Sequence, residues 1–97
     1  MKKKMVKIEL NLLNIFALRT NKSKIEYEGI TIGDIITQFL EDYRDSLDES
    51  ILSKNKKKLN PIMVVLLNGR NITYLKNYKT KLKEGDKLYL SFPISGG

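Results

Sequence analysis

The sequence has no cysteine, no histidine and no tryptophan, and only 2 prolines among its 97 residues. Without cysteine there are no disulfides and no thiolate nucleophile, and without histidine the commonest general base is missing. The usual nitrogen and sulfur ligands of zinc are absent as well. A self-contained enzyme would depend on serine, lysine and carboxylates, which need a shaped pocket to shift their pKa values. The sequence therefore favours a protein that is not an enzyme and holds no metal.

Acidic residues are also in deficit, with 11 Asp and Glu against 18 Lys and Arg. The resulting net charge of +7 raises nucleic acid or an anionic lipid surface as partners. The lysines concentrate at Lys2–Lys4 and Lys54–Lys58. Neither cluster is interleaved with the aromatic side chains on which bases stack. We therefore expect both clusters to be solvated surface, and nucleic acid is the less favoured partner.

Long hydrophobic runs are missing too, so nothing in the sequence is suited to span a bilayer. The basic start and the apolar stretch after it imitate a signal peptide. Polar residues interrupt that stretch at Lys7, Glu9 and Asn11, and no small-x-small cleavage site follows. We expect a cytoplasmic protein without a membrane partner, folded as a single domain over residues 1–97.

Two segments near the start alternate apolar and polar residues, which is typical of half-buried strands. In the first, Val6, Ile8 and Leu10 alternate with polar side chains, and residues 12–18 continue apolar but less regularly. Residues 20–23 have a turn composition, and Lys24–Glu28 alternates again. These patterns predict a β-hairpin that ends at Gly29.

A helix is predicted directly after this hairpin. Thr31 and Asp34 have the spacing of a capping box, in which a hydroxyl and a carboxylate bond the first free backbone N–H groups. Apolar residues then recur on one helical face, at Ile32, Ile35, Ile36, Phe39, Leu40 and Tyr43. Such a face needs a sheet to cover it, so we assign it to the core.

The second half of the sequence predicts two more main strands. Arg44–Asn60 is polar and lysine-rich and is interpreted as an excursion anchored by Leu47, Ile51 and Leu52. Ile62–Leu67 is apolar throughout, as in a strand covered on both faces, and the segment 88–92 alternates as a last strand. The predicted class is α+β, in the order β-β-α-β-β. One main helix would pack on one face of a mixed sheet of four to five strands.

Three stretches resemble the ubiquitin-like β-grasp family of sulfur carriers, which includes MoaD, ThiS and the small archaeal modifier proteins. They are "ITIGDII" at residues 30–36, "LLNGRNITYL" at 66–75 and "LKEGDKLYLSFPISGG" at 82–97. The resemblance runs from about Val6 to Gly97. The chain departs from the family pattern in having one proline, Pro93, where aromatic-Pro-Pro is common, and in its strongly basic excursion.

The resemblance implies a flexible tail over residues 93–97 that carries the chemistry. A partner enzyme would use ATP to adenylate the Gly97 carboxylate, and a sulfur donor would convert the adenylate to a thiocarboxylate. Glycine at positions 96 and 97 has no Cβ, so the backbone could thread a narrow channel. Pro93 would restrict the base of the tail. The protein itself would bind no cofactor.

The implied partners are an E1-like adenylating enzyme of the MoeB or ThiF type and the MoaE-type large subunit of molybdopterin synthase. Leu67, Leu90, Phe92, Pro93 and Ile94 are the candidate contacts, and the protein alone is expected to be a monomer. The sulfur is expected to enter molybdopterin or tungstopterin. The alternatives are conjugation to protein lysines, tRNA thiolation, a basic nucleic-acid-binding module, or a structural interaction domain in which Gly-Gly is incidental.

Overall fold

The strands form one five-stranded mixed sheet in a computed structural model of the chain, which describes residues 4–93. They are β1 (Val6–Leu12), β2 (Lys24–Gly29), β3 (Val64–Leu67), β4 (Arg70–Asn71) and β5 (Lys87–Ser91). Their order across the sheet is β2-β1-β5-β3-β4. β1 and β5 run parallel, and the other neighbouring pairs are antiparallel. The predicted α+β class and mixed sheet are confirmed.

β1 and β2 pair antiparallel as predicted, but a short helix, α1 (Asn14–Thr20), lies between them. The prediction of a plain hairpin is therefore wrong. Phe16 in this helix is fully buried, and its ring centroid lies 6.2 Å from that of Phe39. Asn21 ends the helix in the left-handed conformation, at φ 59°, and donates its N–H to the Ala17 carbonyl. The buried ring of Phe16 thus anchors the segment between β1 and β2 to the core.

The main helix, α2 (Ile32–Tyr43), begins at the predicted capping box. The Asp34 N–H donates to Thr31 Oγ1 at 3.3 Å, and the Thr31 N–H donates to Asp34 Oδ2 at 3.0 Å. The buried residues of the helix are Ile32, Ile35, Ile36, Phe39 and Leu40, which confirms the predicted core face. In residues 4–93, neither this helix nor the shorter one has the length and apolar content to cross a membrane.

The lysine-rich excursion, Arg44–Asn60, packs against the core through its few apolar side chains. Leu47, Ile51 and Leu52 are buried as predicted, and Leu59 joins them. The backbone forms 3₁₀ turns at Arg44–Ser46 and Glu49–Ile51, and Leu52 bridges to Leu59. Lys54, Lys56, Lys57 and Lys58 are all exposed, in agreement with the sequence interpretation.

The sheet has one face on the core and one open face. Val65 in β3 is buried, whereas Val64 and Leu66 on either side of it are only half-buried. The prediction that this apolar strand is covered on both faces is therefore wrong. Within residues 4–93 the helices pack on one side only, so the apolar side chains of the second face remain accessible. After β4 the backbone forms two further 3₁₀ turns, Ile72–Tyr74 and Asn77–Lys79.

Two tyrosines should make the fold sensitive to high pH. Burial, reinforced by a 2.7 Å hydrogen bond from its hydroxyl to Asp42, raises the pKa of Tyr27, and burial raises the pKa of Tyr78. In the unfolded chain both lose their protons near pH ~10, while the folded protein holds them. The free energy of unfolding should therefore fall as the pH rises above about 10. Urea denaturation on both sides of that pH checks this, and Tyr27→Phe should show a smaller loss. An equal loss in the variant would contradict the assignment to Tyr27.

Candidate functional site

β5 leads directly into the segment that carries the candidate residues. It lies between β1 and β3, and its side chains Leu88 and Leu90 are fully buried. This anchoring fixes the direction in which the chain leaves the sheet. Phe92 and Pro93 are the last two residues that the structure describes.

Asn14, the first residue of α1, holds the chain where it leaves β5. Its Oδ1 accepts a hydrogen bond from the Phe92 N–H at 2.9 Å, and its Nδ2 donates to Ser91 Oγ at 3.0 Å. The Ser91 hydroxyl donates to the Phe92 carbonyl at 3.0 Å, and the Leu13 N–H donates to the Leu90 carbonyl at 3.0 Å. These bonds fix the path of the backbone at the base of the tail.

The backbone of Asn14 explains why asparagine serves here. Its φ is 40°, in the left-handed region that asparagine tolerates better than most residues. The Asn14 Oδ1 also accepts from the N–H of Ile15 at 3.0 Å. The Asn14 side chain therefore bonds both the first turn of α1 and the end of β5. Sequence reasoning missed Asn14, because nothing local links it to residues almost a full chain length away.

Apolar side chains lie beside this exit, and two of them, Val64 and Leu66, are on the open face of the sheet. Val64 is opposite Ser91 in the strand register, and Leu66 is opposite Tyr89. Leu13 is 42% exposed and Phe92 is 37% exposed. We call Leu13, Val64, Leu66 and Phe92 the tail-base surface. An apolar surface beside a chain exit is suited to contact a partner that takes up the tail.

The predicted contact residues fall into three groups. Leu90 is wholly buried against the core, so the prediction that its side chain is exposed to a partner is wrong. Leu67 is half-buried and packs against the core, whereas Phe92 is exposed and Pro93 is half-buried. Ile94, Gly96 and Gly97 lie outside the described residues. No sequence signal distinguishes Val64 and Leu66, because the segment is apolar throughout and only the structure shows the alternation of exposure along β3.

The rest of the open face is polar and charged. Glu9 on β1 lies 3.6 Å from the Nζ of Lys24. The Asn11 side chain beside it, and then the charges of Lys24 and Lys87, hold the pKa of Glu9 below its usual value. The tail-base surface is thus an apolar area next to a charged one, which is the usual anatomy of a protein–protein contact.

Asn14→Gly tests whether the side chain of Asn14 fixes the exit. Glycine accepts the same left-handed backbone but removes the hydrogen bonds to Ser91 and Phe92. We expect the unfolding free energy to fall by about 1–2 kcal/mol and the Phe92 amide to exchange its hydrogen faster. Hydrogen exchange followed by NMR measures this. Asn14→Asp is the matched control, because it keeps an acceptor for Phe92. Unchanged Phe92 exchange in the glycine variant would show that Asn14 does not hold the tail base.

Comparisons with known proteins show similarity both in sequence and in fold. No family model matches the chain. A protein named "Putative sulfur carrier protein" from Archaeoglobus fulgidus is 24% identical over 74 residues, covering 76% of this chain and 82% of its own length.

Two solved structures extend the comparison to the fold. The small archaeal modifier protein 1 from Methanosarcina acetivorans superposes with a TM-score of 0.83 at 23% identity, over 97% of this chain and 99% of that one. The BexX/CysO complex of Amycolatopsis orientalis contains a chain that superposes with a TM-score of 0.73 at 21% identity, covering 93% of this chain and 99% of that one. The chain therefore has the ubiquitin-like β-grasp fold, and the predicted resemblance to the sulfur carriers and small modifiers of the MoaD and ThiS type is confirmed.

Proposed function

We propose that this chain is a sulfur carrier whose Gly97 carboxylate is activated and converted to a thiocarboxylate. The observation that carries the proposal is the similarity to the sulfur carrier relative, combined with an exit from β5 that Asn14 anchors. The sequence beyond that exit is Ile94-Ser95-Gly96-Gly97. An ordered base followed by a short segment that ends in two glycines is suited to reach into a partner's active site.

The proposed chemistry takes place in partner enzymes. A carboxylate is a poor electrophile, so its oxygen first attacks the α-phosphorus of ATP and displaces pyrophosphate. Hydrosulfide released by a sulfur donor then attacks the carbonyl carbon of the acyl-adenylate and displaces AMP, which leaves a thiocarboxylate on Gly97. When an acceptor takes the sulfur, water restores the carboxylate and the carrier is free again. This chain supplies the carried group, and the partners supply the catalysis.

The tail-base surface is proposed to contact the adenylating enzyme, which we expect to be E1-like and of the MoeB or ThiF type. The candidate contacts are Leu13, Val64, Leu66, Leu67, Phe92, Pro93 and Ile94, whereas Leu90 is buried and makes no such contact. That CysO has been solved in a complex with BexX supports the general idea of partner docking by this fold. We keep the MoaE-type large subunit of molybdopterin synthase as the proposed recipient.

The proposed acceptor of the sulfur is molybdopterin or tungstopterin, in line with the similarity of residues 82–97 to the endings of MoaD-like chains. Conjugation to lysines remains the second candidate, and the likeness to a small archaeal modifier protein favours it. The two differ in product, because a lysine amine that attacks the activated Gly97 carbonyl forms an isopeptide that survives denaturation.

Intact mass spectrometry of the protein from its native host, with a denaturing blot of the same extract, tests the proposal. A carrier gives a free species heavier by one exchange of oxygen for sulfur and no ladder of adducts. A ladder that disappears when Gly96 and Gly97 are removed, with no thiocarboxylate, would show a modifier instead.

A further inference from the structure

A groove of about 540 Å³ lies between residues 58–61, β3 and the two 3₁₀ turns that follow β4. Its floor is apolar and is lined by Leu59, Met63, Val65 and Ile72. The volume is in the range of sites that hold a small ligand or a few side chains of a peptide. We call this feature the lysine groove, after the residues at its rim.

Positive charge surrounds the apolar floor. Lys58, Lys76 and Lys79 line the groove, and no carboxylate in residues 4–93 does. An adjoining depression of about 530 Å³ shares Lys58 and Lys79 and adds Lys57 and Lys81. Five lysines therefore border one continuous region of the surface.

The charge of these lysines is not neutralised by the part of the chain that the structure describes. The ion pairs there are Arg19–Asp48, Lys24–Glu9 and Lys56–Glu49, and none involves these five lysines. The carboxylate that lines the adjoining depression, Asp34, already accepts the N–H groups of Ile30 and Thr31 at 2.8 and 3.0 Å. An anionic partner would therefore meet uncompensated ammonium groups.

We propose that the lysine groove binds an acidic peptide segment of a partner protein. Its leucine, isoleucine or valine side chains would rest on the floor, and its carboxylates would pair with the lysines at the rim. A nucleic-acid strand fits this site less well. The lining aromatic side chain, Tyr78, is half-buried, and Lys58 Nζ lies over its ring at 5.8 Å, so the ring is not offered to a base.

The groove and the β3 residues of the tail-base surface, Val64 and Leu66, lie on opposite sides of the sheet. Val65, which lines the groove, faces the core side, whereas Val64, which belongs to the tail-base surface, faces the open side. A protein on the open face and a peptide in the groove would therefore approach the sheet from different sides. This proposal does not rest on the proposed function, and removal of Gly96 and Gly97 should leave groove binding unchanged.

An NMR titration of the ¹⁵N-labelled full chain tests the proposal. The probe is a synthetic dodecapeptide in which glutamate and leucine alternate. Two matched peptides carry glutamine for every glutamate or glycine for every leucine. We expect saturable shifts of amides in residues 58–60 and 71–79, with a dissociation constant below about 1 mM for the acidic leucine peptide. Both matched peptides should bind more weakly.

Charge variants make the test specific to this site. K58Q/K79Q should weaken binding by about tenfold, whereas K22Q/K83Q, which removes the same charge outside the groove, should not. Shifts confined to the open face, no shifts with the probe at about 2 mM, or equal weakening in both variants would each overturn the proposal. Displacement of the peptide by a lower concentration of oligouridylate would also overturn it and would identify nucleic acid as the occupant.

Discussion

Removal of Gly96 and Gly97 is expected to abolish adenylation while leaving the domain folded. The last buried side chain of β5 is Leu90, so the core should not sense the loss of the final two residues. The shortened chain would end at Ser95, two residues short of the partner's nucleotide. Because misplacing a reacting group by about 1 Å can cost roughly 100-fold in rate, we expect a loss of at least about 100-fold. ATP–pyrophosphate exchange with the activating enzyme measures this rate.

The adenylation rates of two point variants should be compared with that of the deleted chain. Gly97→Ala keeps the length but adds a methyl group beside the reacting carbonyl, so it should be slowed less than the deletion. Ser95→Ala, just outside the glycine pair, is the matched control and should react at nearly the wild-type rate. Unaltered exchange by the deleted chain would refute the sulfur-carrier proposal. The peptide titration of the lysine groove, repeated on the same deleted chain, reports separately on that site.

Phe16→Ala is expected to be among the most damaging single substitutions outside the tail. The ring is fully buried and packs against Phe39, and its removal leaves a cavity between α1 and α2. Truncation of a buried phenylalanine costs about 3–5 kcal/mol, a large part of the stability of a small domain. Loss of α1 packing should also release Asn14 and thereby loosen the tail base.

Leu18→Ala provides the control in the same helix. Leu18 is 70% exposed, so its truncation removes little buried surface. Urea denaturation should show a change within about 0.5 kcal/mol for this variant. Equal destabilisation by the two variants would indicate that α1 is sensitive to any truncation and that Phe16 has no special place in the core.

Features that depend on neighbouring residues could be predicted from the sequence. The capping box of Thr31 and Asp34 and the apolar spacing of α2 are local, and both are present in the structure. The alternation in β1, β2 and β5 likewise identified their strands. The sequence does not reveal helix α1, because an apolar pattern over only seven residues is too short to distinguish a helix from an irregular strand.

Features that depend on distant residues could not be predicted. The hydrogen bonds of Asn14 join the two ends of the chain, so no local pattern reveals them. The burial of Leu90 could not be predicted, because alternation shows that it shares a face with Leu88 but not that this face lies under the helix. The apolar segment before Asn68 is covered on one side only, and hydrophobicity alone does not show which side of a strand is covered.

The parallel pairing of β1 with β5 also determines when the protein can fold. Glu9 pairs with Lys87 and Leu12 with Leu90, so the centre of the sheet joins residues from nearly opposite ends of the chain. During synthesis β1 has no strand to pair with on its β5 side until β5 has left the ribosome. Pairing between strands so far apart in the sequence is also slow to form. A nascent or truncated chain without β5 cannot complete the sheet. Only chains that have been synthesised at least as far as Phe92 can therefore form the hydrogen bonds that anchor the base of the tail.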